Sequence, residues 1–168
     1  MKIHDIFKEA FIFNEILDTT AKIEWRQEEN TDYGVFNLDE NEYRISLEAG
    51  TFYDFKFINV AFHIHLNGQW STQPTLNNSA ASKVLGAISN GIKNRLDLYE
   101  FDAVLFFANT LQDKRMRIYN FIAKRLVKRF GHIKENVPIG DDFGTIVFKD
   151  SLSPKIREFE DYLKSVNK

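Results

Sequence analysis

Cysteine is absent from this chain, and no stretch of it is apolar for long. Without cysteine there is no disulfide, no thiolate nucleophile and no cysteine-ligated zinc, which fits a reducing compartment. No window approaches a membrane span, and the opening residues MKIHDIFKEAF lack the long apolar stretch of a signal peptide. Charge of one sign is lacking too. A formal net charge of -2 argues against wholesale nucleic-acid coating, so any basic surface must be local. No Gly-rich phosphate-cradling loop is visible. These absences lead to the expectation of a cytosolic or virion-type soluble chain, with no membrane partner.

What is present is an ordinary globular balance with an aromatic excess. Of 168 residues, 43% are hydrophobic and 27% charged, and sixteen are Phe. One domain over 1–168 is expected, with an aromatic core between a sheet and helices.

Ile3, Ile6, Phe7, Ala10, Phe11 and Leu17 recur at helical spacing, which predicts an amphipathic helix over 3–17. Residues 22–66 read as an antiparallel meander. Ile23 and Trp25 alternate with Lys22, Glu24 and Arg26; a second strand runs 33–38 and closes at Asp39-Glu40-Asn41. Tyr43, Ile45 and Leu47 share one face of a third strand, and Ala49-Gly50 reads as the next turn. The fourth strand changes phase: Phe55 and Phe57 face one way, and Ile58, Val60, Phe62, Ile64 and Leu66 the other. That pattern requires two covered faces or a bulge, and a bulge or splay is expected near Phe57 to Val60.

His63 and His65 fall on one face of this strand. No carboxylate or third histidine stands at a convincing spacing, so two polar residues are expected and no metal site. The polar stretch 67–78 reads as a loop in which Trp70 either marks a binding surface or tucks onto the core. A helix follows, capped by Ser79, with Ala81, Val84, Leu85, Ile88, Ile92, Leu96 and Tyr99 inward. Gly86 and Gly91 would let it approach the sheet closely.

The stretch 102–131 organises the chain: a buried strand, a polar turn, and a helix with seven Lys or Arg residues between Lys114 and Arg129. At 100° per residue, Met116, Tyr119, Ile122, Ala123, Leu126, Val127 and Phe130 form its apolar face. Lys114, Arg117, Lys124, Arg125, Lys128 and Arg129 lie opposite, with Ile118 and Phe121 on or beside the basic arc. Such a face is either solvated or a contact for a partner. Gly131 ends the helix, a polar loop over 132–142 carries the acidic pair Asp141-Asp142, and GTIVFKD reads as a last strand. Ser153-Pro154 then opens a closing helix with Ile156, Phe159, Leu163 and Val166 inward.

The fold class expected is α+β: a mostly antiparallel mixed sheet flanked by helices, in the order helix, four strands, helix, strand, helix, strand, helix. That order resembles the GNAT superfamily of N-acetyltransferases, whose fourth and fifth strands splay apart around acetyl-CoA. The segment LFFANTLQDKRMRIYNFIAKRLVKRFG is similar to that family's second half. The resemblance implies acetyl-CoA as cofactor, Asn109 as a cofactor contact and Tyr119 as general acid. The family's pyrophosphate signature, Arg/Gln-x-x-Gly-x-Gly/Ala, is absent; PTLNNSAASKVLGA stands in its place. The run RMRIYNFIAKRLVKRFG also resembles segments of uncharacterised proteins of tailed bacteriophages, which implies a phage source.

No metal cluster, nucleophile with adjacent base or phosphate loop emerges. The function expected is therefore a non-enzymatic interaction protein without a cofactor. Its contact residues are Lys114, Arg117, Phe121, Lys124 and Lys128, and its partner is another virion protein or a host protein. Nucleic acid is disfavoured by the net charge, and a degenerate acyltransferase using Tyr119 is the alternative.

Overall fold

The computed structural model describes residues 21–71, 78–109, 113–139 and 142–166. The helix expected over 3–17 lies outside the described residues.

Four strands come first, β1 (Glu24–Glu28), β2 (Thr31–Leu38), β3 (Asn41–Phe52) and β4 (Phe55–Leu66), followed by the short β5 (Gln69–Ser71). Then come α1 (Asn78–Leu96), β6 (Ala103–Asn109), α2 (Asp113–Phe130), β7 (His132–Ile139) and β8 (Asp142–Phe148). A 3₁₀ turn (Asp150–Lys155) leads into α3 (Ile156–Val166). The strands form one sheet in the order β1-β2-β3-β4-β6-β8-β7, with β5 added against β4. Every pairing is antiparallel except β4 with β6. The fold is α+β, with a mostly antiparallel mixed sheet and three α-helices among the described residues.

Helices cover both faces. On one, Val84, Ile88, Ile92 and Leu96 of α1 and Tyr119, Ile122, Ala123, Leu126 and Phe130 of α2 bury against Tyr43, Ile45, Val60, Phe62 and Phe106. The 3–4 spacing along each helix delivers these side chains to the sheet, each fully buried aliphatic one contributing roughly 1.5–3 kcal/mol. On the other face, Phe159 and Leu163 of α3 close over Phe52, Leu105, Ile139 and Ile146.

Two covered faces explain the phase change in β4. Its ladder with β3 runs unbroken from Tyr43↔Ile64 to Phe52↔Phe55, so the expected bulge is absent. Phe55 and Phe57 pack with the α3 side, whereas Ile58 to Ile64 serve the α1–α2 side. Nor is there a splay at Phe57 to Val60, which is the stretch of β4 paired to β6 on its other edge. There β4 pairs with β6 only from Phe57↔Ala103 to Val60↔Phe106, and the two part beyond.

Other expectations need correction. Ala49-Gly50 is no turn: β3 continues to Phe52, and the hairpin turns at Tyr53-Asp54, Tyr53 at φ 49°. Glycine stands at position 50 for room, because a Cβ would lie 2.3 Å from the Phe57 ring. Trp70 sits on a strand, not in a loop, and residues 132–139 are the edge strand β7. The described residues thus hold eight strands where six were expected. β7 hid because it carries Pro138, a left-handed Asn136 and a register shift between Lys134 and Val137. Pro154 falls in the 3₁₀ turn ahead of α3, and Val166 is exposed. Gly91 does serve close approach, since a Cβ there would meet Ile23 Cδ1 at 2.3 Å.

Candidate functional site

The cationic arc of α2 does not stand alone. Its C-terminal half runs beside that of α1, and the two helices enclose a groove of about 600 Å³. Ser89, Asn90 and Lys93 line it from α1, with Asp97 just past that helix; Lys124, Arg125, Leu126, Lys128 and Arg129 line it from α2. Positions 89, 93 and 97 are one helical turn apart, so α1 shows the groove one continuous stripe.

The cations differ in how much of their charge is available. Arg129 is spoken for: Nη1 donates to Asp97 Oδ1 at 2.7 Å, and Nη2 donates to the carbonyls of Leu96 at 3.0 Å and Tyr99 at 3.2 Å. It thereby ties α2 to the turn that follows α1, where the Leu96 carbonyl also accepts from Tyr99 N–H at 3.2 Å. Arg125 is half-buried, lies over the Phe121 ring at 4.9 Å and donates to Ser89 Oγ at 3.4 Å. Burial holds its guanidinium below its ordinary pKa. Lys124 approaches Glu135 of β7 at 3.5 Å but keeps 67% of its side chain in solvent, a pairing that contributes little. Lys93 and Lys128 are exposed and make no ion pair among the described residues.

Of the contact residues expected from sequence, Lys124 and Lys128 meet in this groove. Phe121 is half-buried beneath Arg125 and is not a free aromatic contact. Lys114 and Arg117 belong to α2, but their side chains lie outside the description. Lys93 escaped the sequence reading, which took only the apolar face of α1. Its signal was the polar stripe Ser89, Lys93, Asp97, although no spacing within α1 reveals which helix lies alongside.

Tyr119 and Asn109 are placed differently. Tyr119 is 1% exposed, edge-on to Phe62 with ring centroids 5.5 Å apart and tilted against Phe106 at 5.5 Å. Phe62 lies on β4 just past the end of its pairing with β6, and Phe106 is in the last pair. Tyr119 therefore fills the wedge between the parting strands from the helix side. Asn109 ends β6 opposite Asp142, its side chain outside the description.

Compared with protein-family models, curated proteins and solved structures, the chain matches none.

His65 Nδ1 stands 3.2 Å from Glu42 Oε2, and its ring lies 5.0 Å from that of Trp70. No group of three or more metal-ligating side chains occurs among the described residues. Asp141 lies outside them, and Asp142 opens β8 half-buried. No described helix is long and apolar enough to cross a membrane.

Proposed function

We propose that the protein acts by recognition, and that the groove between α1 and α2 receives an acidic segment of a partner protein. The observation that carries this reading is the placement of Lys93 and Lys128 on its two walls, exposed and without an ion pair among the described residues. Lys124 adds a third, weakly engaged charge. Two opposed ammonium groups suit successive carboxylates of one chain, since Lys is a flexible point charge rather than a planar fork. The groove lining described here holds no aromatic ring, hence no stacking platform for unpaired bases. In a phage setting the partner is another virion protein or a host protein.

The test is fluorescence anisotropy with a labelled Glu/Asp-rich peptide and, beside it, a labelled oligothymidylate. Peptide binding that weakens with salt and disappears in a Lys93→Glu/Lys128→Glu variant is the expected result. Tighter binding of the oligonucleotide through the same lysines would replace the protein partner by nucleic acid. No binding of either would end the reading.

A second reading rests on the parting of β4 and β6. In the GNAT family the corresponding strands open around acetyl-CoA, and the strand order and single parallel pair here favour such an architecture. Amine attack on a bound thioester would then proceed with backbone N–H groups polarising the carbonyl and Tyr119 protonating the leaving thiolate. The burial of Tyr119 among Phe62 and Phe106 weighs against the last step. Calorimetry with acetyl-CoA decides: micromolar binding establishes the site, and none at millimolar ligand removes it.

A further inference from the structure

The sheet face that carries α3 at one end presents a different surface at the other. Successive ladders align Glu24, Val35, Arg44 and His63 in one row across β1 to β4, with Tyr33 and Arg26 in the next. Above them lies a pocket of about 500 Å³ whose walls include Tyr33, Val35, Arg44 and Trp70. It is separate from the groove between α1 and α2, which lies on the opposite face.

Arg44 is the unusual member. Its guanidinium lies 4.5 Å from the Trp70 ring and 5.2 Å from the Tyr33 ring, so aromatic rings take its faces. What remains is the in-plane edge, where its N–H donors point. Nε is buried and has no hydrogen-bond partner, and Arg44 makes no ion pair among the described residues. The acid beside it in sequence, Glu42, is turned to His65 instead. A buried guanidinium donor left unpaired is destabilising, and an acceptor that reaches it removes that penalty.

We propose that this pocket binds a small organic molecule bearing one carboxylate, seated on the in-plane edge of Arg44 with its apolar body against Tyr33, Val35 and Trp70. The lining carries no net charge, which disfavours a multiply charged ligand. Lys22, Arg26 and Arg44 are balanced by Glu24, Glu28 and Glu42, a neutral wall unsuited to a polyphosphate. Carboxylate and guanidinium match as two parallel N–H···O bonds, which a lysine at position 44 could not reproduce.

The probe is benzoate, titrated into the whole protein while the Arg44 Nε–H resonance is followed by nitrogen-15 NMR. A saturable shift of that resonance, with the Trp70 indole N–H moving in parallel, is expected. Arg44→Lys should weaken binding by about tenfold or more. Arg44→Gln should abolish it, while Lys128→Gln leaves it unchanged. Should the position-44 variants fail to fold, the wild-type resonance still decides. No shift of Arg44 Nε–H, a benzoate response that survives Arg44→Gln, or tighter binding of inorganic phosphate or ATP at Arg44 would each overturn the proposal.

Discussion

Arg95 Nε donates to Asp32 Oδ2 at 2.7 Å, tying α1 to β2 across the face that the two share. Asp32 is 6% exposed, one of few buried charges among the described residues. Trp25 and Tyr99 rings lie 5.2 and 5.4 Å from the guanidinium, so water is largely kept from the pair. The hydrogen bond to Asp32 is the largest of the influences that raise the Arg95 pKa. Removing one partner should therefore cost more than removing both. Asp32→Ala is expected to lower unfolding free energy by about 3 kcal/mol in urea denaturation, and Asp32→Leu/Arg95→Met to recover most of it. Additive losses would show that the pair is not coupled.

Gly50→Ala is expected to destabilise by about 1–3 kcal/mol, because the new methyl would enter the Phe57 ring. That ring is itself held by Phe159 at 5.3 Å and cannot easily turn away. Adding Phe57→Leu should restore part of the loss, measurable as a coupling in a double-mutant cycle.

Arg129→Lys should lose most of what Arg129 contributes, about 1.5–3 kcal/mol, since one ammonium cannot serve Asp97 and two carbonyls at once. Hydrogen exchange should speed up first at the end of α1 and in the turn through Tyr99.

The β2–β3 hairpin turns through two residues, Asp39 at φ 48° and Glu40 at φ 66°, neither of them glycine. Both occupy the left-handed region that side chains resist. Glu40→Gly is expected to raise the melting temperature, the relief of strain being worth about 1 kcal/mol before the added freedom of the unfolded chain is subtracted. An unchanged or lower melting temperature would show that Glu40 holds its conformation without strain.

These relationships also show where sequence reading succeeds and where it stops. The spacing of Val84, Ile88, Ile92 and Leu96 announced which face of α1 is buried, because helical period and burial are both local. The same holds for α2, whose expected apolar face contains every one of its buried residues described here. Gly50 misled because a glycine before a polar residue signals a turn, whereas its cause is the ring of Phe57 across the ladder. β7 was illegible because an edge strand needs few inward side chains, and its shifted register breaks the alternation. At the groove, the charges of Lys124 and Lys128 could be read but not their availability. Arg125 and Arg129 share the same arc and are engaged by Ser89 and by Asp97, partners more than thirty residues away.

The irregularity of β7 has a consequence for assembly. At an outer margin of a sheet, an unbroken row of amides invites another chain to extend the ladder. Here one margin is interrupted by Pro138, which has no N–H to offer, and by the shifted pairing between Lys134 and Val137. The other margin is the five-residue β1, three of whose residues are charged. Neither is a template for adding strands end on end. At high concentration the described sheet is therefore expected to resist growth into ladder-type polymers.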